Sequence, residues 1–124
     1  MSLEIQYEIE TALIAIGVPS SLIGFQYVVD AIGMVVKDRN AIHSITDGIY
    51  GDIAVKYNTT ITCVERRIRH LIEVAYQRGN VKKLEEYVGY PNTKSGKLAN
   101  GEFISNFART VWYKVYEVKY NDQR

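Results

Sequence analysis

Apolar residues recur along most of this chain at three- and four-residue steps, the spacing that lines one face of an α-helix. Ile5, Ile9, Leu13 and Ile16 form the first stripe and predict an amphipathic helix over 3–16. Gly17 and Pro19 end it, and Ser20 or Ser21 is expected to cap the next helix by accepting from its free N–H groups. That second helix, about 22–37, is apolar on nearly every side, from Leu22 and Phe25 through Val28, Val29, Ile32, Val35 and Val36. A helix of that kind belongs at the centre of a fold. Gly24 and Gly33 lack side chains and are expected to let neighbouring helices approach closely. Ile42, Ile45, Ile49 and Ile53 set a third stripe, which Gly48 and Gly51 are expected to break into two pieces, the second short, about 49–57.

Asn58-Thr59-Thr60 then reads as a turn. Two starts compete for the helix that follows. Thr60 suits an N-cap, and Thr62 with Glu65 three residues later fits a capping box. The helix is expected to run to about Gln77 and stop near Gly79-Asn80. A short helix over 81–88 follows, then a polar loop from Pro91 to Asn100. The last helix runs from about Gly101 into the Tyr113–Tyr120 region, with Ile104, Phe107, Ala108, Val111 and Val115 inward. The polar end, Asn121 to Arg124, is expected to fray. No alternating strand pattern competes, so the predicted fold class is all-α, with about six helices.

At 124 residues the chain is one domain's worth and buries a real core without a disulfide or metal staple. Its one cysteine, Cys63, excludes an internal disulfide and a cysteine-based zinc site, and suits a reducing, cytoplasmic setting. No apolar run approaches the roughly 18 residues of a membrane span. No nucleophile–base pair, metal-ligand set, phosphate-cradling glycine loop or pair of carboxylates on one face is visible, so neither an enzyme nor a bound metal or cofactor is expected.

The net charge, +1, predicts no strong overall field, but its distribution does. Residues 56–83 hold seven cations, Lys56, Arg66, Arg67, Arg69, Arg78, Lys82 and Lys83, against Glu65 and Glu73. That segment carries +5 and leaves the remainder at −4. On a helical wheel of 61–77, Val64, Ile68, Leu71, Ile72 and Ala75 form a tight core stripe. Thr62, Cys63, Arg66, Arg69, His70, Glu73 and Gln77 gather opposite. A short helix, a tight turn and such a helix make a helix-turn-helix, whose second helix enters the major groove of duplex DNA. Arginine suits that role because its planar fork donates twice to a guanine edge or clamps a phosphate. A glutamate among arginines accepts from a cytosine amino group or orients a neighbouring guanidinium. The same residues could instead simply pair along a solvated face.

The wording of this segment goes further. Val64-Glu65-Arg66, Ile68-Arg69-His70 and Ile72-Glu73-Val74-Ala75, followed by Arg78-Gly79-Asn80, resemble the DNA-binding effector domain of the sporulation master response regulators of endospore-forming Firmicutes. Gly17-Val18-Pro19, Gly24 with Tyr27, Ala31-Ile32 with Met34, Tyr50 through Ile53-Ala54 to Lys56-Tyr57-Asn58-Thr59-Thr60, Gly89-Tyr90 and Asn100-x-Glu102-Phe103-Ile104 match in order. The resemblance spans about residues 9–108. It implies a six-helix domain with an embedded helix-turn-helix and a recognition helix at about 61–78. It implies binding to tandem double-stranded TGNCGAA-type boxes as a homodimer, and control of sporulation promoters at the nucleoid. It places Glu65, Arg66 and Arg69 at base edges and His70 at the groove or backbone. Lys56, Thr59, Thr60, Thr62 and Arg67 join the expected backbone or groove contacts. The segment after the recognition helix, including Asn80, Val81, Lys82, Lys83 and Tyr87, would touch the sigma subunit of RNA polymerase.

This chain departs from the pattern in three places. The position before Val64 is normally a base-reading arginine and here is Cys63, which predicts a relaxed or altered box. Leu98-Ala99-Asn100 replaces the usual Pro-Thr-Asn. The tail with Trp112, Tyr113, Tyr116 and Tyr120 is unlike the family's. Nothing reads as an α/β receiver domain, so residues 1–124 are expected to be a single effector domain, either a fragment or an orphan regulator. A different class stays open beside it: a protein-interaction module, or an antagonist acting on polymerase or on a full-length regulator.

Overall fold

The computed structural model describes residues 1–91 and 93–122, with side chains described as far as Glu117. The described residues form six α-helices and no strand. They are α1 (Leu3–Ile16), α2 (Ile23–Lys37), α3 (Gly51–Lys56), α4 (Ile61–Arg78), α5 (Val81–Val88) and α6 (Asn100–Asp122). α2 is the hub, packed most extensively against α6 and α4. Its all-round apolar sequence is the cause, since Phe25, Val28, Val29, Ile32, Val35 and Val36 are all buried. Ile9, Leu13 and Ile16 of α1, Ile68 and Leu71 of α4, and Phe103 and Phe107 of α6 complete the core.

α2 and α4 approach closely at Gly24. A Cβ there would fall against the backbone carbonyl of Arg67, so the residue's missing side chain sets the spacing between the two helices. Gly33 plays a different part from the one expected, because the space beside it is filled by the Met1 thioether rather than by a helix. The turn between α4 and α5 is also tight. A Cβ on Gly79 would strike the Ala75 carbonyl, and the Asn80 N–H donates to the Ile16 carbonyl at 2.6 Å, pinning this turn to the end of α1.

Three local expectations are corrected. Neither Ser20 nor Ser21 caps α2. Leu22 occupies the N-cap position, with no side-chain bond, and its own N–H donates to the Pro19 carbonyl at 3.2 Å. The turn therefore closes through backbone and leaves both serines on its exposed outer side. The third apolar stripe is not broken at its glycines. It winds as a 3-10 segment over Arg39–Ser44 and a π segment over Ile45–Tyr50 that runs straight into α3. The backbone interruption falls at Ser44, before the π segment, and Ile49 and Ile53 are buried while Ile42 and Ile45 are half-buried. Finally, α6 begins at Asn100 and continues through Asn121 and Asp122, while Gln123 and Arg124 of the expected frayed end lie outside the described residues. Among the described residues no helix is long and apolar enough to cross a membrane.

Candidate nucleic-acid interface

α4 starts where the Thr60 hydroxyl accepts from the Cys63 N–H at 3.1 Å, which settles the competition between the two caps. The preceding turn reverses at Asn58, in the left-handed region at φ 53°, where asparagine is among the few side-chain-bearing residues tolerated. α3, this turn and α4 are thus a helix-turn-helix. Val64, Ile68, Leu71, Ile72 and Ala75 are buried, as the wheel predicts. Thr62, Arg66, Arg69, His70 and Gln77 are exposed on the other side, with Cys63, Glu65 and Glu73 half-buried at its margins.

The expected contact residues fall into three groups. Arg66 and His70 are exposed on this face and join no ion pair or side-chain hydrogen bond among the described residues. Arg69 is already ordered, its Nη1 donating to Glu65 Oε1 at 2.9 Å one turn earlier. Such an exposed pair contributes little to stability, about 0.3–0.5 kcal/mol, but it fixes where the guanidinium points. Arg67 turns inward. Its Nη1 donates to the Tyr27 hydroxyl at 3.2 Å and its guanidinium lies 6.0 Å from the Tyr27 ring centre. Thr60, Thr62, Cys63, Arg66 and Arg67 together line a shallow hollow of about 240 Å³ at the start of α4.

Lys56 is held from below. Its Nζ lies 3.0 Å from Asp30 Oδ2, and the same oxygen accepts from the Tyr57 hydroxyl at 2.7 Å. Gln26 donates to the other Asp30 oxygen at 3.2 Å. Asp30 is 7% exposed, the one buried charged residue among those described, and it ties the end of α3 to α2. Burial, reinforced by the Asp30 carboxylate, pushes the Tyr57 hydroxyl well above its usual titration range. The sequence reading missed Asp30; the available signal was a lone acid inside an otherwise apolar helix.

A second tie was also missed. The Asn100 amide donates to the Tyr50 hydroxyl and to the Glu65 carbonyl, each at 3.2 Å, so the start of α6 braces the middle of the reading helix. Burial raises the Tyr50 hydroxyl's pKa in this cluster.

In the segment after α4, Val81 and Lys82 are exposed and Lys83 half-exposed, whereas Asn80 caps α5 by accepting from the Lys83 N–H at 3.1 Å. Tyr87 is a correction to the expected polymerase contacts. It is 4% exposed, stacked on Phe107 at 4.8 Å between ring centres, with its hydroxyl donating to Glu8 at 2.6 Å. Its ring holds α5 to α6 and α1 and has no surface to offer a partner. Glu86 is bracketed by Lys114 at 3.0 Å and Lys83 at 3.3 Å, which hold its carboxyl below the ordinary range. In the aromatic tail, Trp112 packs half-buried under the Arg39 guanidinium at 5.3 Å, with Tyr113 and Tyr116 exposed beside it. The described residues hold no group of three acids, histidines or cysteines able to bind a metal ion.

The surface is therefore a capped, rigidly backed helix with forked donors outward, built as part of a helix-turn-helix. A family model described as "Sporulation initiation factor Spo0A C terminal" matches residues 9–111, which take in all of α2 to α5 and the first half of α6. The chain belongs to that family of sporulation DNA-binding domains.

Proposed function

We propose that α4 enters the major groove of double-stranded DNA and reads TGNCGAA-type boxes at sporulation-related promoters. The observation that carries this reading is the exposed row of Arg66 and Arg69, with Arg69 aimed by Glu65, on a helix locked from behind by Gly24, Asn100 and the Thr60 cap. Arg66 and Arg69 donate to base edges, and Glu65 accepts from a base or keeps Arg69 in register. His70, Thr59, Thr60 and Thr62 border the groove and donate to phosphate. Lys56 and Arg67 act chiefly from behind, each already engaged with α2. Cys63 offers no fork where the family carries one, so discrimination at that base pair falls by about 1–3 kcal/mol. The domain acts as one effector unit and pairs with a second copy on tandem boxes. The exposed part of the segment after α4, Val81, Lys82 and Lys83, meets the polymerase sigma subunit.

Fluorescence anisotropy on a duplex with two boxes and on a scrambled duplex, each at two salt concentrations, tests this. The boxed duplex should bind more tightly, Arg66→Ala should abolish the preference, and Cys63→Arg should sharpen it. Binding that is weak, unselective and insensitive to salt would instead favour a protein-interaction module acting on polymerase or another regulator.

A further inference from the structure

A recognition helix seated in a major groove nearly fills it, since the groove is about 12 Å wide and a helix with its side chains about 10–12 Å across. Whatever flanks the helix then meets the sugar–phosphate walls. On one side of α4 that flank is the loop before α6. Glu65, Arg69 and Glu73 of α4 share a groove of about 530 Å³ with Thr93, Ser95 and Lys97 of this loop, over a floor that includes Ile72 and Leu98.

The loop is held in two ways. It is tied to α4 by Lys97 Nζ against Glu73 Oε1 at 3.4 Å, and just beyond by Asn100 on the Glu65 carbonyl. It is also tied to itself. The Thr93 hydroxyl donates to the Lys97 carbonyl at 2.8 Å, and the Ser95 hydroxyl donates to the same oxygen at 3.3 Å. The Gly96 N–H closes the turn on the Thr93 carbonyl at 3.2 Å. Lys97 is thereby paired with Glu73. Lys94, at the tip of the turn, is exposed and joins no ion pair among the described residues.

We propose that residues 93–97 form a second DNA contact, in which Lys94 meets a backbone phosphate beside the groove that α4 occupies. This rests on the reading of α4 as a DNA-recognition helix. The contact positions the helix and carries no sequence information, because phosphates are the same at every base pair. A preset loop also loses less freedom on binding than a mobile one would.

The experiment measures affinity for boxed and scrambled duplexes across a salt series, for the unchanged domain, Lys94→Ala, Lys94→Arg and Arg66→Ala. One lost phosphate contact lowers the slope of log affinity against log salt by about 0.9. Lys94→Ala should show that drop on both duplexes and keep the ratio between them, Lys94→Arg should restore the slope, and Arg66→Ala should collapse the ratio. An unchanged slope in Lys94→Ala, alongside a normal ratio and an effective Arg66→Ala, overturns the loop contact alone. Salt-insensitive binding by the unchanged domain overturns the DNA reading and the loop contact with it.

Discussion

α2 and α4 meet at Gly24 and treat polar residues in opposite ways. α2 has a single acid, Asp30, buries it, and uses it inward to hold Lys56 and Tyr57 at the end of α3. α4 carries two acids, Glu65 and Glu73, at the margin of its exposed face, where each holds a cation at the surface. One helix spends its charge on fixing the helix-turn-helix from behind, and the other displays charge to a partner. The contrast separates residues whose loss is expected to lower the stability of the domain from residues whose loss is expected to alter its surface at little cost in stability.

The sharpest way to break the contrast is at the point of contact. Gly24→Val pushes side-chain atoms into the Arg67 carbonyl, a backbone obstacle that cannot rotate away. The expected cost is at or beyond the upper end of the ~1–3 kcal/mol typical of overpacked cores. Urea denaturation should show it as a large fall in midpoint, and a midpoint near that of the unchanged protein would mean that the two helices are not locked here.

Tyr57→Phe comes next. It removes the 2.7 Å bond to the buried Asp30 carboxylate, worth about 1.5–3 kcal/mol for a bond to a charged group. The same substitution changes the response to alkali. The Tyr57 pKa is raised by folding above its ordinary value of 10.0, so the unfolded chain releases that proton first. Its contribution to stability is complete below about pH 10 and is lost as pH rises from there through the folded value. Melting temperatures above pH 10 should therefore fall more steeply for the unchanged protein than for Tyr57→Phe. Parallel curves would show that Tyr57 is not the linked group. Burial also raises Tyr50 and Tyr87, so some alkaline sensitivity remains in the variant.

Smaller effects belong to α4's exposed side. Thr60→Ala loses the N-cap bond and should cost about 1 kcal/mol, with restoration by Thr60→Ser. Glu65→Gln should lower stability by no more than about 0.3–0.5 kcal/mol, because the exposed pair with Arg69 is worth little. The same change should nevertheless alter base preference, since it frees the Arg69 guanidinium to turn. A Glu65→Gln domain that is equally stable and equally selective would show that Glu65 does not aim Arg69.

The α4 surface was largely legible because helical period and residue type point the same way: Ile68 and Leu71 inward, Arg66 and Arg69 outward. α2 was legible as a core helix for the same reason. What the sequence withheld is non-local. Asp30 finds Lys56 and Tyr57 some 26 and 27 residues along, and Asn100 finds the Glu65 carbonyl 35 residues back. No local pattern encodes those partners. Ser20 and Ser21 misled because backbone groups had already closed their turn. Tyr87 misled because a tyrosine near the surface in sequence can place its ring inside and only its hydroxyl near a polar partner, here Glu8. The winding of 39–50 was hidden because the isoleucine spacing is shared by several helix types, and only packing selects among them.

The most direct test of α4 as the reading element follows backbone amide resonances of the domain as a duplex with two TGNCGAA-type boxes is added. Shifts should concentrate on residues 59–77 and on the loop at 93–97, with the interior of α2 nearly still. Shifts centred on α5, on α1 or on the aromatic end of α6, with α4 unmoved, would contradict the assignment of this helix to DNA.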